Sequence, residues 1–359
     1  TFGSICPNDG GNPIPCQPGF YCDKLGLVEQ IPCPKGTFQP FYGSTICLNC
    51  TQGYYCASTA MSQGSLCSAG YYCPMGTILP QKCPIGSYCP TSGSYSYTLC
   101  PIGSFCPNEG MQIIIPCPSG SFCPYIGSSV HLLCPNGTFN SGEFQNSLSG
   151  CKSCSPGYFC PTNGLIIETI CPIGYYCPLN GMNSPIKCPY GSYCQTTGMI
   201  SPTPCTKGNY CPNQEMTVPT TCPIGSYCPM EGLSLPMICP TGFYCPTTSM
   251  IDPIVCPISY YCPLEGMTTP TICPIGSYCP STGLKAQKLC TIGNYCNSQG
   301  MKLQELCPVG NYCPNSGTIT PTPCLQGTFN NKTGSSTISD CLQSPPGFYS
   351  PISGLQLSY

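Results

Sequence analysis

The chain has 359 residues, including 39 Cys, 45 Pro and 41 Gly, and only 6% are charged, against roughly 25% in an ordinary soluble domain. A net charge of -2 excludes the electrostatic footprint of a nucleic-acid binder, and no apolar run reaches the roughly 18 residues needed to span a membrane. Val, Ile, Leu and Phe are too evenly scattered for the several buried cores a chain of this length usually holds, so this cysteine density marks many small stapled units in series.

Reading from the N-terminus, FGSICP matches IGSYCP further on, which makes Cys6 the second cysteine of a unit whose first would fall one place before Thr1. From Cys16 onward the pattern C-x5-C, ten residues, next Cys recurs with a usual step of 17, the signature of an internal repeat. The pairs in chain order are Cys16 and Cys22, Cys50 and Cys56, Cys67 and Cys73, Cys83 and Cys89, Cys100 and Cys106, and Cys117 and Cys123. They continue at Cys154 and Cys160, Cys171 and Cys177, Cys188 and Cys194, Cys205 and Cys211, and Cys222 and Cys228. The last are Cys239 and Cys245, Cys256 and Cys262, Cys273 and Cys279, Cys290 and Cys296, and Cys307 and Cys313, making sixteen units in register. The next Cys would fall due two places after Tyr359, so the sequence reads as a window from a longer repeat protein.

The unit is C-P-x-G-x-Y-C-P-x-x-G-M-x-x-P-x-x. Pro at the second place presets φ for a turn and Gly at the fourth closes it. The residue before the second Cys is aromatic in all sixteen units, as in Tyr88, Phe105 and Tyr227; a ring there is expected to cover a disulfide and to supply most of a unit's apolar burial. The later prolines, such as Pro185, Pro219, Pro236 and Pro270, forbid a helix interior and a central strand. The expected fold class is small disulfide-rich repeats in tandem, mostly turns and short extended segments with essentially no helix, stacked as an elongated rod or superhelix.

Three units break the pattern in one way. They begin at Cys33, Cys134 and Cys324 and read CPKGTF, CPNGTF and CLQGTF; the Cys expected six places on is replaced by Gln39, Asn140 and Asn330, and a compensating Cys follows at Cys47, Cys151 and Cys341. The final SPPGFYS has Ser344 and Ser350 where both cysteines would stand.

Spacing leaves two pairing schemes open. In one, every C-x5-C closes on itself and the variant units close as Cys33–Cys47, Cys134–Cys151 and Cys324–Cys341, giving 19 pairs and leaving Cys6. In the other, bonds cross the ten-residue stretches, as in Cys22–Cys33, forcing Cys47–Cys50 and Cys151–Cys154 and leaving Cys341. The relocated cysteines and the joint loss at Ser344 and Ser350 favour the first, and closing a loop of about seven residues stabilises by roughly 2 kcal/mol. Interleaved pairings remain open.

CPKGTFQPFYGSTICLNCTQGYYC and CPNGTFNSGEFQNSLSGCKSCSPGYFC resemble the ephrin-receptor-like cysteine-rich module, which is distantly similar to tumour-necrosis-factor-receptor repeats. The organisation that follows is a truncated repeat plus a short repeat over 1–32, ephrin-receptor-like modules over 33–66 and 134–170, and short repeats over 67–133 and 171–323. A partial module with a degenerate end occupies 324–359. The resemblance implies an extracellular, stapled, elongated array of the kind found in receptors, matrix proteins and protist surface proteins. It carries no catalytic residues and names no ligand.

Catalytic chemistry is not expected. His131 is the only histidine and has no triad partner at a recognisable spacing. No phosphate-binding glycine loop occurs, and the 12 acids are scattered singly. The two C-x2-C pairs lack the second pair that a zinc site needs, so neither metal nor cofactor is expected. N-x-S/T sequons occur at Asn49, Asn136 and Asn331, all in the variant units. They predict glycans on the long loops, with Asn49 hindered between Cys47 and Cys50.

Disulfides of this density need an oxidising compartment, so the expected localisation is extracellular or cell-surface. The expected partners are further copies or other extracellular structural chains and covalent glycans, with no nucleic acid and no membrane contact within this segment. The functional expectation is a structural component of an extracellular fibre, surface appendage or matrix, with a receptor or adhesin ectodomain as the alternative.

Overall fold

The computed structural model describes residues 1–358. The unit starting at Cys83 shows how the sequence folds locally. Pro84 fixes the chain direction, the Ser87 N–H donates to the Pro84 carbonyl at 3.0 Å, and Gly86 takes φ 82°, a conformation that strongly favours glycine. Two extended residues then remain before the next cysteine. They form the strand Ser87–Tyr88, which pairs antiparallel with Thr98–Leu99 in the register Ser87↔Leu99 and Tyr88↔Thr98.

Among the described residues this hairpin recurs as twenty two-stranded sheets, every strand two residues long. Each strand is therefore an edge, which is why prolines are tolerated inside strands such as Ile115–Pro116. Among the described residues there is no α-helix and no helix long and apolar enough to cross a membrane. Two short 3-10 turns, Leu148–Gly150 and Ile338–Asp340, sit in the long loops of two variant units.

The chain forms two compact bodies: Thr1–Cys171 with Cys177–Pro185, and Pro172–Tyr176 with Ile186–Tyr359. Within the first, successive units are joined by backbone hydrogen bonds. The Gly86 N–H donates to the Cys106 carbonyl at 2.9 Å, Cys89 N–H to Met111 at 2.9 Å, and Gly110 N–H back to Cys83 at 2.8 Å. Within the second, the same three bonds run from Gly225 to Cys245 at 2.9 Å, from Cys228 to Met250 at 2.8 Å, and from Gly266 to Cys239 at 2.8 Å. Backbone groups buried beside the cysteines are thereby satisfied by the neighbouring unit rather than by water.

Among the described residues the fully buried apolar side chains are all cysteines, most of them with no exposed surface, and Tyr88, Phe105 and Tyr227 are half-buried. Successive strand residues face opposite sides. The residue before the ring, as at Ser87, Ser104 and Ser121, points inward and is fully or almost fully buried. The Ser87 hydroxyl donates to the Pro84 carbonyl at 2.6 Å, which satisfies its buried oxygen.

Candidate functional site

The feature that recurs most regularly is the disulfide rung. Sulfur joins consecutive cysteines in nineteen bonds. The C-x5-C units, from Cys16–Cys22 to Cys307–Cys313, close on themselves with Cα–Cα distances of 5.9–6.2 Å. Cys33–Cys47, Cys134–Cys151 and Cys324–Cys341 close the longer loops at 5.6–5.7 Å. Those separations suit a disulfide. Cys6 carries a free, half-buried thiol.

In the variant units the residues that stand in for cysteine take on a role of their own. Gln39, Asn140 and Asn330 occupy the vacated cysteine positions and are buried to 3%, 4% and 1% exposure. Each amide replaces the missing rung with hydrogen bonds. Asn140 donates from Nδ2 to the Ser121 carbonyl at 3.1 Å and accepts at Oδ1 from the Gly142 N–H at 2.9 Å. Asn330 does the same with Asn311 at 2.8 Å and Lys332 at 3.1 Å. Gln39, one methylene longer, donates forward to Ile46 at 2.7 Å and accepts from Phe41 at 3.1 Å. The visible signal is the shared G-T-F-[Q/N]. A buried amide must have partners, and here those partners fix where the long loop leaves the stack.

Positions outside the rungs show a second rule. Where the unit's second residue is not proline, its free N–H can be capped from the far end of the same unit. Gln17 donates to Gln30 Oε1 at 3.0 Å, Ser155 to Glu168 Oε2 at 2.8 Å, and Thr291 to Gln304 Oε1 at 2.8 Å. That far-end place otherwise often holds the recurrent proline, as at Pro185 and Pro219. At two units it holds a ring instead. His131 stands edge-on to Phe105 with centroids 5.1 Å apart, and Tyr97 edge-on to Tyr72 at 5.4 Å. His131 is thus placed as an exposed packing residue.

One exposed ion pair forms among the described residues. Glu215 takes the left-handed place usual for glycine, at φ 62°, and its carboxylate lies 2.6 Å from Lys187 Nζ. Hydrogen bonds from Lys187 and then Tyr175 hold the Glu215 carboxyl below the usual carboxylate range. Both partners are raised in turn, chiefly by their bonds to Glu215. Exposure keeps the contribution of such a pair to stability small.

The three sequon asparagines are exposed. Asn136 follows Pro135 in the opening turn, with its backbone N–H donating to Asn163 Oδ1 at 2.8 Å. Asn331 lies on the loop after Asn330. Asn49 sits in the strand Leu48–Asn49 opposite Thr37, directly before the buried Cys50.

No protein-family model matches the chain, and no curated protein matches it. The fold and its rungs define a cysteine-rich tandem-repeat array, built from units of about 17 residues with paired cysteines.

Proposed function

We propose that the chain is a structural component of an extracellular fibre, surface appendage or matrix, assembled from repeats that resemble the ephrin-receptor-like module, with no catalytic role. The observation that carries this reading is the sameness of the join between units. The Gly86 to Cys106 and Gly225 to Cys245 bonds have the same length and the same place in the repeat. Within each body the stapled units repeat this set of backbone partners, so units can be added without enlarging a core. Stapling by nineteen disulfides supports an oxidising, extracellular setting.

The surface supports lateral assembly. The isoleucine in the C-P-I-G turn stays outside the stack, with Ile85 54% and Ile224 58% exposed. Apolar surface recurring at one place in many units favours packing against further copies or other extracellular structural chains. Glycans on Asn136 and Asn331, with lower occupancy on Asn49, would cover the variant loops. Mass spectrometry of secreted native protein checks this, and both Asn136 and Asn331 bare would reject the glycan component.

A receptor or adhesin ectodomain is favoured by a different observation: the variant loops, set by Gln39, Asn140 and Asn330, are the places where the array departs from monotony. Electron microscopy of native material with an antibody to this chain distinguishes the two readings. Regularly repeated label along filaments or sheets supports the structural reading. Separate, unassembled molecules that hold a specific ligand at one variant loop support the receptor reading and overturn the structural one.

A further inference from the structure

We propose that Tyr72 and Tyr97 form a site for oxidative cross-linking, at which a haem peroxidase with hydrogen peroxide joins the two phenols within one chain as dityrosine. The inference rests on ring geometry and does not depend on the proposed function.

The stack itself creates the juxtaposition. The ring before a unit's second cysteine, here Tyr72, lies against the far end of the following unit, three places before the cysteine that opens the next one, here Tyr97 before Cys100. At many units that opposing place is Pro, as at Pro185, Pro219 and Pro236, and at one it is His131 against Phe105. Tyr97 is the one tyrosine at that place, and Tyr72–Tyr97 is the one tyrosine–tyrosine ring contact among the described residues. The centroids are 5.4 Å apart with planes inclined at 76°, an edge-to-face approach that brings the rim of one ring to the other. Tyr97 is 44% exposed and Tyr72 half-buried, so an oxidant reaches the pair while the stack limits how far the rings separate.

The chemistry balances with one peroxide per cross-link. Each phenol gives up one electron and its hydroxyl proton to the peroxidase, leaving two tyrosyl radicals. These couple through ring carbons ortho to the oxygens, forming one C–C bond. Each coupled carbon then releases its hydrogen as a proton, which restores aromaticity and both O–H groups. The two electrons and two protons removed overall reduce one hydrogen peroxide to two waters. Holding the two radicals together makes the coupling intramolecular and raises their effective concentration far above that of any pair on separate molecules. The product is a covalent tie between successive units that reducing agents do not open, unlike the disulfides.

The test uses the full chain, dilute, folded and with Cys6 alkylated so that its thiol does not consume oxidant. It is treated with a haem peroxidase and limiting hydrogen peroxide, then reduced, digested and analysed by mass spectrometry and dityrosine fluorescence. The expected result is a dominant cross-linked peptide pair containing Tyr72 and Tyr97, lighter by two hydrogens. Fluorescence should fall severalfold in Tyr72→Phe and in Tyr97→Phe, which keep the ring contact, and should hold in Tyr88→Phe. Cross-links spread over the 25 tyrosines without enrichment of this pair, unchanged fluorescence in either Phe variant, or no dityrosine at all would overturn the proposal.

Discussion

The hydroxyls of Ser344 and Ser350 lie 2.8 Å apart, at the two places where a C-x5-C unit would carry its disulfide. Ser350 is buried to 4% exposure, as a rung cysteine would be, and the Ser344 N–H keeps the bond to Gly327 that rung cysteines make to the preceding turn. A hydrogen bond has taken the place of the covalent rung without changing the local course of the chain.

Restoring the rung is therefore expected to succeed. The double variant Ser344→Cys, Ser350→Cys should oxidise spontaneously and stabilise the last unit by about 2 kcal/mol through closure of a seven-residue loop. Thermal denaturation with and without reductant measures this. Failure of the pair to oxidise, or equal stability of both forms, would contradict the placement of the two serines.

The buried amides predict a cost of similar size. Asn140→Ala removes two hydrogen bonds and leaves the Ser121 carbonyl and the Gly142 N–H without partners. Leaving buried polar groups unsatisfied should cost about 2 kcal/mol. Hydrogen exchange at Gly142 should accelerate while the Cys134–Cys151 bond persists. Unchanged protection at Gly142 would show that the long loop is held by something other than the amide.

How far the fold could be read from residues follows from the range of the interactions. Rung partners such as Cys83 and Cys89 are six residues apart, so spacing alone carries information about them, and the proline and glycine turns are equally local. The contact of Gly86 with the carbonyl of Gly127 spans 41 residues and reaches past one whole unit, so each glycine looks like an ordinary turn residue until the stack exists. The ring's aromatic character is plain in the sequence, whereas the burial of its neighbour Ser87, whose hydroxyl donates to the Pro84 carbonyl, shows only in the folded turn. Gln39, Asn140 and Asn330 read only as lost cysteines, because their role depends on partners supplied by the folded loops.

Two glycines in one body separate backbone strain from crowding. Gly225 and Gly232 have nearly the same φ, 77° and 75°. A Cβ on Gly225 would lie 2.7 Å from the Gly266 carbonyl oxygen, whereas one on Gly232 meets nothing within 4 Å. Gly232→Ala should cost only the left-handed strain, roughly 1 kcal/mol. Gly225→Ala should cost clearly more, because the two units must move apart. Equal losses in a denaturation series would show that the close approach at Gly225 contributes nothing.

Peptide mapping of the unreduced native protein reads most directly whether each unit closes on itself. With free thiols blocked and the chain cleaved between cysteines, the expected links are Cys16–Cys22 through Cys307–Cys313 together with Cys33–Cys47, Cys134–Cys151 and Cys324–Cys341, and only Cys6 carries the blocking group. Links across the ten-residue stretches, such as Cys22–Cys33 or Cys56–Cys67, accompanied by closed Cys47–Cys50 and Cys151–Cys154 loops and a blocked Cys341, would contradict it.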